Sequence, residues 1–158
     1  MIPRSLIEFL SRASVAVAST RDQELTPYLH FLSGWSVGDD LATVECLVAE
    51  SFADGMIERL KRHPDLALVA EVIGPHETYQ FKGRYSSHRA AGPSDQPVFE
   101  ACRQRFVSTV QAHLKGRFTD ETLLVRFREP ALAVRFEVGE IFLQTPGPMA
   151  GRRVHPAA

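Results

Sequence analysis

Residues Thr78-Tyr79-Gln80-Phe81-Lys82-Gly83-Arg84 alternate so that Thr78, Gln80, Lys82 and Arg84 share one face of a strand while Tyr79, Phe81 and Tyr85 share the other. The aromatic face is suited to packing. The opposite face carries hydrogen-bond donors and two positive charges, a combination suited to an anionic ligand. A solvated face of an antiparallel strand has the same composition, so the pattern needs a partner feature to become a site. One candidate is the run Ile141-Phe142-Leu143-Gln144-Thr145-Pro146-Gly147-Pro148-Met149-Ala150-Gly151, whose prolines and glycines predict a shaped loop after the last strand. A third pattern, Gly34-Trp35-Ser36-Val37-Gly38, matches the G-x-S-x-G nucleophile elbow. That elbow requires a strand, a sharp turn and then a helix, whereas Asp39-Asp40 and a β-rich run follow here, so Ser36 is not read as a nucleophile. No dinucleotide-binding or phosphate-loop glycine pattern occurs.

Composition narrows the classes further. The 158 residues are 44% hydrophobic with a formal net charge of −1, which suits one compact domain spanning 1–158 and gives no global field for nucleic acid or anionic membrane. Any preference for anions must be local, as at Lys82 and Arg84. The two cysteines, Cys46 and Cys102, lie far apart with no C-x-x-C, which predicts buried thiols in a reducing compartment and no disulfide framework. None of the six histidines pairs at a metal-ligand spacing. The apolar start is interrupted by Glu8 and Arg12, and no run reaches the length of a membrane span, so a soluble cytoplasmic protein is expected.

The elements that must hold these residues follow from periodicity. Pro3 with Leu6, Ile7, Phe9 and Leu10 predicts a short helix capping one end of a barrel. Ser14–Thr20 and Thr26–Ser33 read as a hairpin, Leu41–Ala49 as a third strand after the Gly38-Asp39-Asp40 turn. Ser51, with Asp54 at capping-box spacing and Phe52, Met56, Ile57 and Leu60 as an apolar stripe, predicts one helix ending at His63-Pro64. Leu66–Ile73 and Glu77–Ser87 form another hairpin, with Gly83 a bulge or a point of close approach. Phe99, Cys102, Phe106, Val110 and Leu114 predict a long amphipathic helix, Leu132–Leu143 a closing strand, and Arg152-Arg153 a solvated end. Six short strands with added helices predict a mainly β (α+β) fold, an antiparallel β-barrel with peripheral helices. Its interior is filled by its own side chains, so a large ligand must lie outside it.

The amphipathic start, the Val-Ala-rich strand, the helix ending in His63-Pro64, the Tyr79-Gln80-Phe81-Lys82-Gly83 strand and the Gln144-Thr145-Pro146-Gly147-Pro148 tail together resemble the pyridoxamine 5'-phosphate oxidase-related FMN-binding split-barrel family. The resemblance covers nearly the whole chain and implies a six-stranded split barrel. It implies a homodimer with FMN between protomers, a tail from residue 143 onward that contributes to that interface, and an FMN-dependent oxidoreductase with a small-molecule redox partner. In that setting the amides at the Ser51 helix start would meet the phosphate, with Gln80, Lys82 and Arg84 beside it. Tyr28, His30 and Trp35 would wall the ring, and Gln144 and Thr145 would come from the tail. Such sites orient the cofactor and often supply no acid or base, so no catalytic residue is assigned. The sequence departs from the family pattern where basic residues are common: it reads Phe31-Leu32-Ser33 at one place and Ala53-Asp54-Gly55-Met56 at the other. Deazaflavin, or haem, which needs only one axial histidine, or a non-catalytic small-ligand role therefore stand as alternatives. The tail also lacks the richer set of arginines and histidines that the resemblance would imply for oxidation of pyridoxamine 5'-phosphate itself.

Overall fold

Small residues on the inner face of one strand set how tightly this molecule closes. In β1 (Val15–Arg21), Ala16, Ala18 and Thr20 are buried while Val15, Val17 and Ser19 alternate on the outer side. The computed structural model describes residues 1–53, 55–115, 117, 119–124 and 127–155. β1 pairs antiparallel with β2 (Pro27–Val37), through a turn in which the Asp22 carboxylate accepts the backbone N–H groups of Glu24 and Thr26, both at 2.9 Å. β3 (Thr43–Ala49), β4 (Asp65–Val72), β5 (Glu77–Ala90) and β6 (Pro130–Leu143) complete a sheet in the order β3-β2-β1-β4-β5-β6. Pairing of β3 with β6 closes these six antiparallel strands into a barrel.

The core joins Ala16, Ala18 and Ala70 with Phe81, Phe136, Leu68 and Ile141 inside the barrel. Helix α1 (Arg4–Arg12) adds Leu6, Phe9 and Leu10, and the Phe9 ring meets Tyr79 edge-on at 4.7 Å. Helix α4 (Gln96–Leu114) buries Phe99, Cys102, Phe106 and Val110. Its start is tied to the barrel by Arg89, whose guanidinium bonds both oxygens of the buried Asp95 at 2.7 and 2.8 Å and Glu45 at 2.7 Å. Gly34 lets α4 cross close to β2, since a Cβ there would stand 3.0 Å from Leu47 and 3.4 Å from Val98.

Several expectations change. β2 continues to Val37, so the G-x-S-x-G residues Gly34 to Val37 lie within a strand, with an irregularity in the pairing between Leu32 and Gly34. The helix expected from Ser51 is two helices, α2 (Glu50–Ala53) and α3 (Met56–Arg62), because Gly55 takes φ +66° between them. Asp54, the partner of the expected capping box, lies outside the described residues. A short helix, α5 (Asp120–Leu124), precedes β6. Arg153 is not a free end: β7 (Arg153–His155) pairs with β6, and Arg153 bridges Glu140. The loop before β7 is held by its own backbone, including Gly151 N–H to the Leu143 carbonyl at 2.7 Å. Among the described residues no helix is long and apolar enough to cross a membrane.

Candidate functional site

Segments of four strands and a hairpin converge on the outer surface of the barrel. Ser19 to Arg21 leave β1, Asp65 to Ala67 begin β4, Lys82 to Arg84 cross the middle of β5, and Gly139 and Glu140 face them from β6. Leu25 and Pro27 of the β1–β2 hairpin form the remaining wall of a groove of about 580 Å³. Register brings these residues together: Lys82 pairs with Ala67 on one side and Glu140 on the other, and Arg84 pairs with Asp65. The β5–β6 ladder slips between Lys82 and Gly83. A Cβ on Gly83 would lie 1.8 Å from the Glu137 carbonyl oxygen, so only glycine admits this approach.

The groove carries more positive than free negative charge. Asp65 is shared by Arg21 at 2.9 Å and Arg84 at 3.6 Å, and Glu140 is engaged by Arg153. The Lys82 ammonium lies 4.7 Å from the centroid of the Phe142 ring and, among the described residues, pairs with no carboxylate. It is an exposed cation held over an aromatic plate. Next along the same face, the Gln144 side-chain amide donates to Gln80 at 3.4 Å, and Gln144 N–H bonds the Thr78 carbonyl at 2.8 Å. The Thr145 hydroxyl accepts the Thr78 N–H at 3.0 Å. Two amide side chains, a hydroxyl and a cation thus line one continuous shelf.

Of the expected site residues, Gln80, Lys82, Arg84, Gln144 and Thr145 are gathered here, and four are elsewhere. His30 is 3% exposed, with Nδ1 2.5 Å from the Phe52 carbonyl and Nε2 3.0 Å from the Thr20 hydroxyl. Burial, and secondarily the charge of Arg59, push its pKa below the ordinary histidine value against the pull of the Phe52 carbonyl. Trp35 is 4% exposed and donates its indole N–H to the Leu10 carbonyl at 2.9 Å, facing α1 and not the groove. Ser51 is exposed on the four-residue α2, beside a shallow depression with Gly55 and Leu132. Tyr28 stacks on Arg59 at 4.0 Å. Both thiols are free and buried, and burial raises both pKa values, which disfavours the reactive thiolate. Among the described residues no cluster could hold a metal ion.

Sequence reading missed Arg21, Leu25, Asp65 and Glu140. Arg21 reads as part of a turn, and the others become neighbours of Lys82 only through strand pairing, which no local pattern announces.

No family model and no curated protein matches the chain. Solved structures do. HupZ of Group A Streptococcus superposes with a TM-score of 0.55 at 16% identity, covering 96% of this chain and 100% of that one. An F420 reductase gives 0.54 at 11% identity, covering 89% and 98%. A pyridoxamine 5'-phosphate oxidase-related, FMN-binding protein of Nostoc punctiforme gives 0.52 at 12% identity, covering 94% and 88%. The molecule is therefore a split β-barrel with peripheral helices. It has the fold of the pyridoxamine 5'-phosphate oxidase-related FMN-binding proteins, as the sequence resemblance implies.

Proposed function

We propose that the outer groove binds a flavin-type cofactor, FMN or a deazaflavin, and that the protein is a homodimeric oxidoreductase acting on a small molecule. The observation that carries this reading is Lys82, a cation without a carboxylate partner among the described residues, at the edge of a groove of about 580 Å³. That volume falls within the usual range for small-molecule sites, roughly 300–1,000 Å³. The residues present fit the group. Lys82 and Arg84 offer charge to a phosphate, and Leu25, Pro27 and Ala67 offer an apolar wall to a flat ring. Gln80 and Gln144 supply donors and acceptors for the polar edge of the ring.

Flavin chemistry, when the cofactor is bound, is hydride or electron transfer at the ring, and the chain supplies binding, orientation and exclusion of water. Asp65 holds Arg21 and Arg84 in place and Phe142 supports the Lys82 ammonium, so the cationic edge is formed before ligand arrives. The segments Phe31-Leu32-Ser33 and Ala53 to Met56 carry no basic residue, which leaves phosphate recognition in this groove to Lys82 and Arg84.

An absorption spectrum of freshly purified protein followed by FMN titration tests the reading. Saturable binding of one FMN per chain is expected. Lys82→Ala should weaken it at least tenfold, about 1.4 kcal/mol, without altering oligomeric state. Unchanged affinity removes Lys82 from the site. Bleaching by a reduced nicotinamide and recolouring in air would mark an oxidoreductase, and a bound flavin inert to both would mark a carrier.

A further inference from the structure

A second cleft lies between α1, β2 and α4 and shares no lining residue with the flavin groove. The two sit toward opposite ends of β2, Pro27 bordering one and Trp35 to Val37 the other. We propose that this cleft is an independent binding site for a small amphipathic monocarboxylate, with Arg105 holding the carboxylate.

The floor is apolar and sealed. Leu10, Trp35 and Cys102 are at most 4% exposed. The indole N–H of Trp35 is spent on the Leu10 carbonyl, so the ring offers the cleft only its hydrocarbon surface. Burial keeps the Cys102 thiol protonated and neutral. Ile7, Val37 and Val98 continue the apolar wall, and Ser11, Pro97 and Ala101 form an exposed rim through which a ligand can enter. The cleft encloses about 440 Å³.

Arg105 is the one charge on this lining. Its Nε donates to the Ala13 carbonyl at 3.0 Å, its Nη2 to Cys102 Sγ at 3.1 Å, and its guanidinium carbon lies 5.6 Å from the Trp35 ring centroid. Every one of these partners is neutral. Among the described residues no carboxylate pairs with Arg105, and Nη1 makes no hydrogen bond. A half-buried guanidinium, fixed in direction by two hydrogen bonds and left with a donor edge, is complementary to a carboxylate. The apolar floor beside it selects a ligand whose remaining body is hydrocarbon.

Trp35 is the single tryptophan of the chain, so its emission reports occupancy of this cleft directly. Decanoate is titrated into flavin-free protein and into FMN-treated protein, with calorimetry in parallel. Saturable binding of one decanoate per chain is expected in both, with a Kd below about 1 mM. Decanol, of equal length but uncharged, should bind at least about tenfold more weakly, and Arg105→Gln should lose decanoate affinity by a similar factor. Ala101→Phe, a change at an exposed rim position, should block entry and serves if Arg105→Gln does not fold. Absence of saturable decanoate binding, equal affinity for decanol, or full binding by Ala101→Phe overturns the proposal. Because the flavin groove is separate, failure of FMN to bind leaves this outcome unaffected.

Discussion

His30 shows how a single side chain can be legible as polar and illegible as to its work. The Phe52 carbonyl can only accept, so Nδ1 carries the proton and Nε2 accepts from the Thr20 hydroxyl. The Thr20 oxygen in turn takes the Nε–H of Arg59 at 3.3 Å. A second proton on His30 would break the sense of this relay and place two cations together in the barrel wall. The folded pKa is accordingly lowered, chiefly by burial. The unfolded chain titrates at about 6.5, so below that pH it takes up a proton that the folded state refuses until its own lower pKa is reached. Stability is therefore full above about pH 6.5 and declines as the pH falls through that window. Thermal melts at about pH 7.5 and about pH 5 should show the native protein losing more stability than His30→Gln over the interval. An equal loss in both proteins would remove His30 from the account. The alternation of β2 did not reveal this role, because Thr20, Phe52 and Arg59 reach His30 from three other elements.

At the scale of elements, periodicity and turn signals place the strands, the long helix and the β1–β2 and β4–β5 hairpins, whereas the pairings between distant segments have no local signal. The period-two pattern of Thr78 to Arg84 placed Phe81 inside and Lys82 outside, as the structure has them. The periodicity of Phe99, Cys102, Phe106 and Val110 placed α4. The break at Gly55 was hidden because an apolar stripe continues across it, and β7 was hidden because three residues carry no periodicity. Gly83 is the element-scale point on which the groove turns. Its missing side chain lets the Glu137 carbonyl approach, and the register slip there sets which residues of β6 face Lys82. Gly83→Ala should displace the β5–β6 pairing and destabilise the fold by about 1–3 kcal/mol, the usual range for overpacking. Denaturant unfolding measures this. A midpoint equal to the native protein would mean that the ladder relaxes without strain. In a variant that does destabilise, FMN affinity should fall as well, because Lys82 and Glu140 no longer share a rung.

For the whole molecule, a closed six-stranded barrel was legible from tight turns and short strands, and the barrel's own side chains fill it. A ligand site must then be built on the outside, where the groove on a single chain has an open side. The β1–β2 hairpin beside that groove exposes Leu25 at 68%, Leu29 at 67% and Tyr28 at 38%. Apolar side chains held out on a hairpin whose turn is tied by Asp22 favour association, and Leu25 itself lines the groove. A second copy seated on the hairpin would cover both the exposed leucines and the open side, which is the arrangement the family resemblance implies. Leu29→Glu places a charge in that contact without touching the groove lining. Sedimentation should find the native protein dimeric and Leu29→Glu monomeric, with FMN affinity reduced at least about tenfold in the monomer. Lys82→Ala should do the reverse, weakening FMN and sparing the dimer. A monomeric Leu29→Glu that binds FMN as tightly as the native protein would show that one chain completes the site alone, and a dimer that survives the substitution would move the interface away from the hairpin.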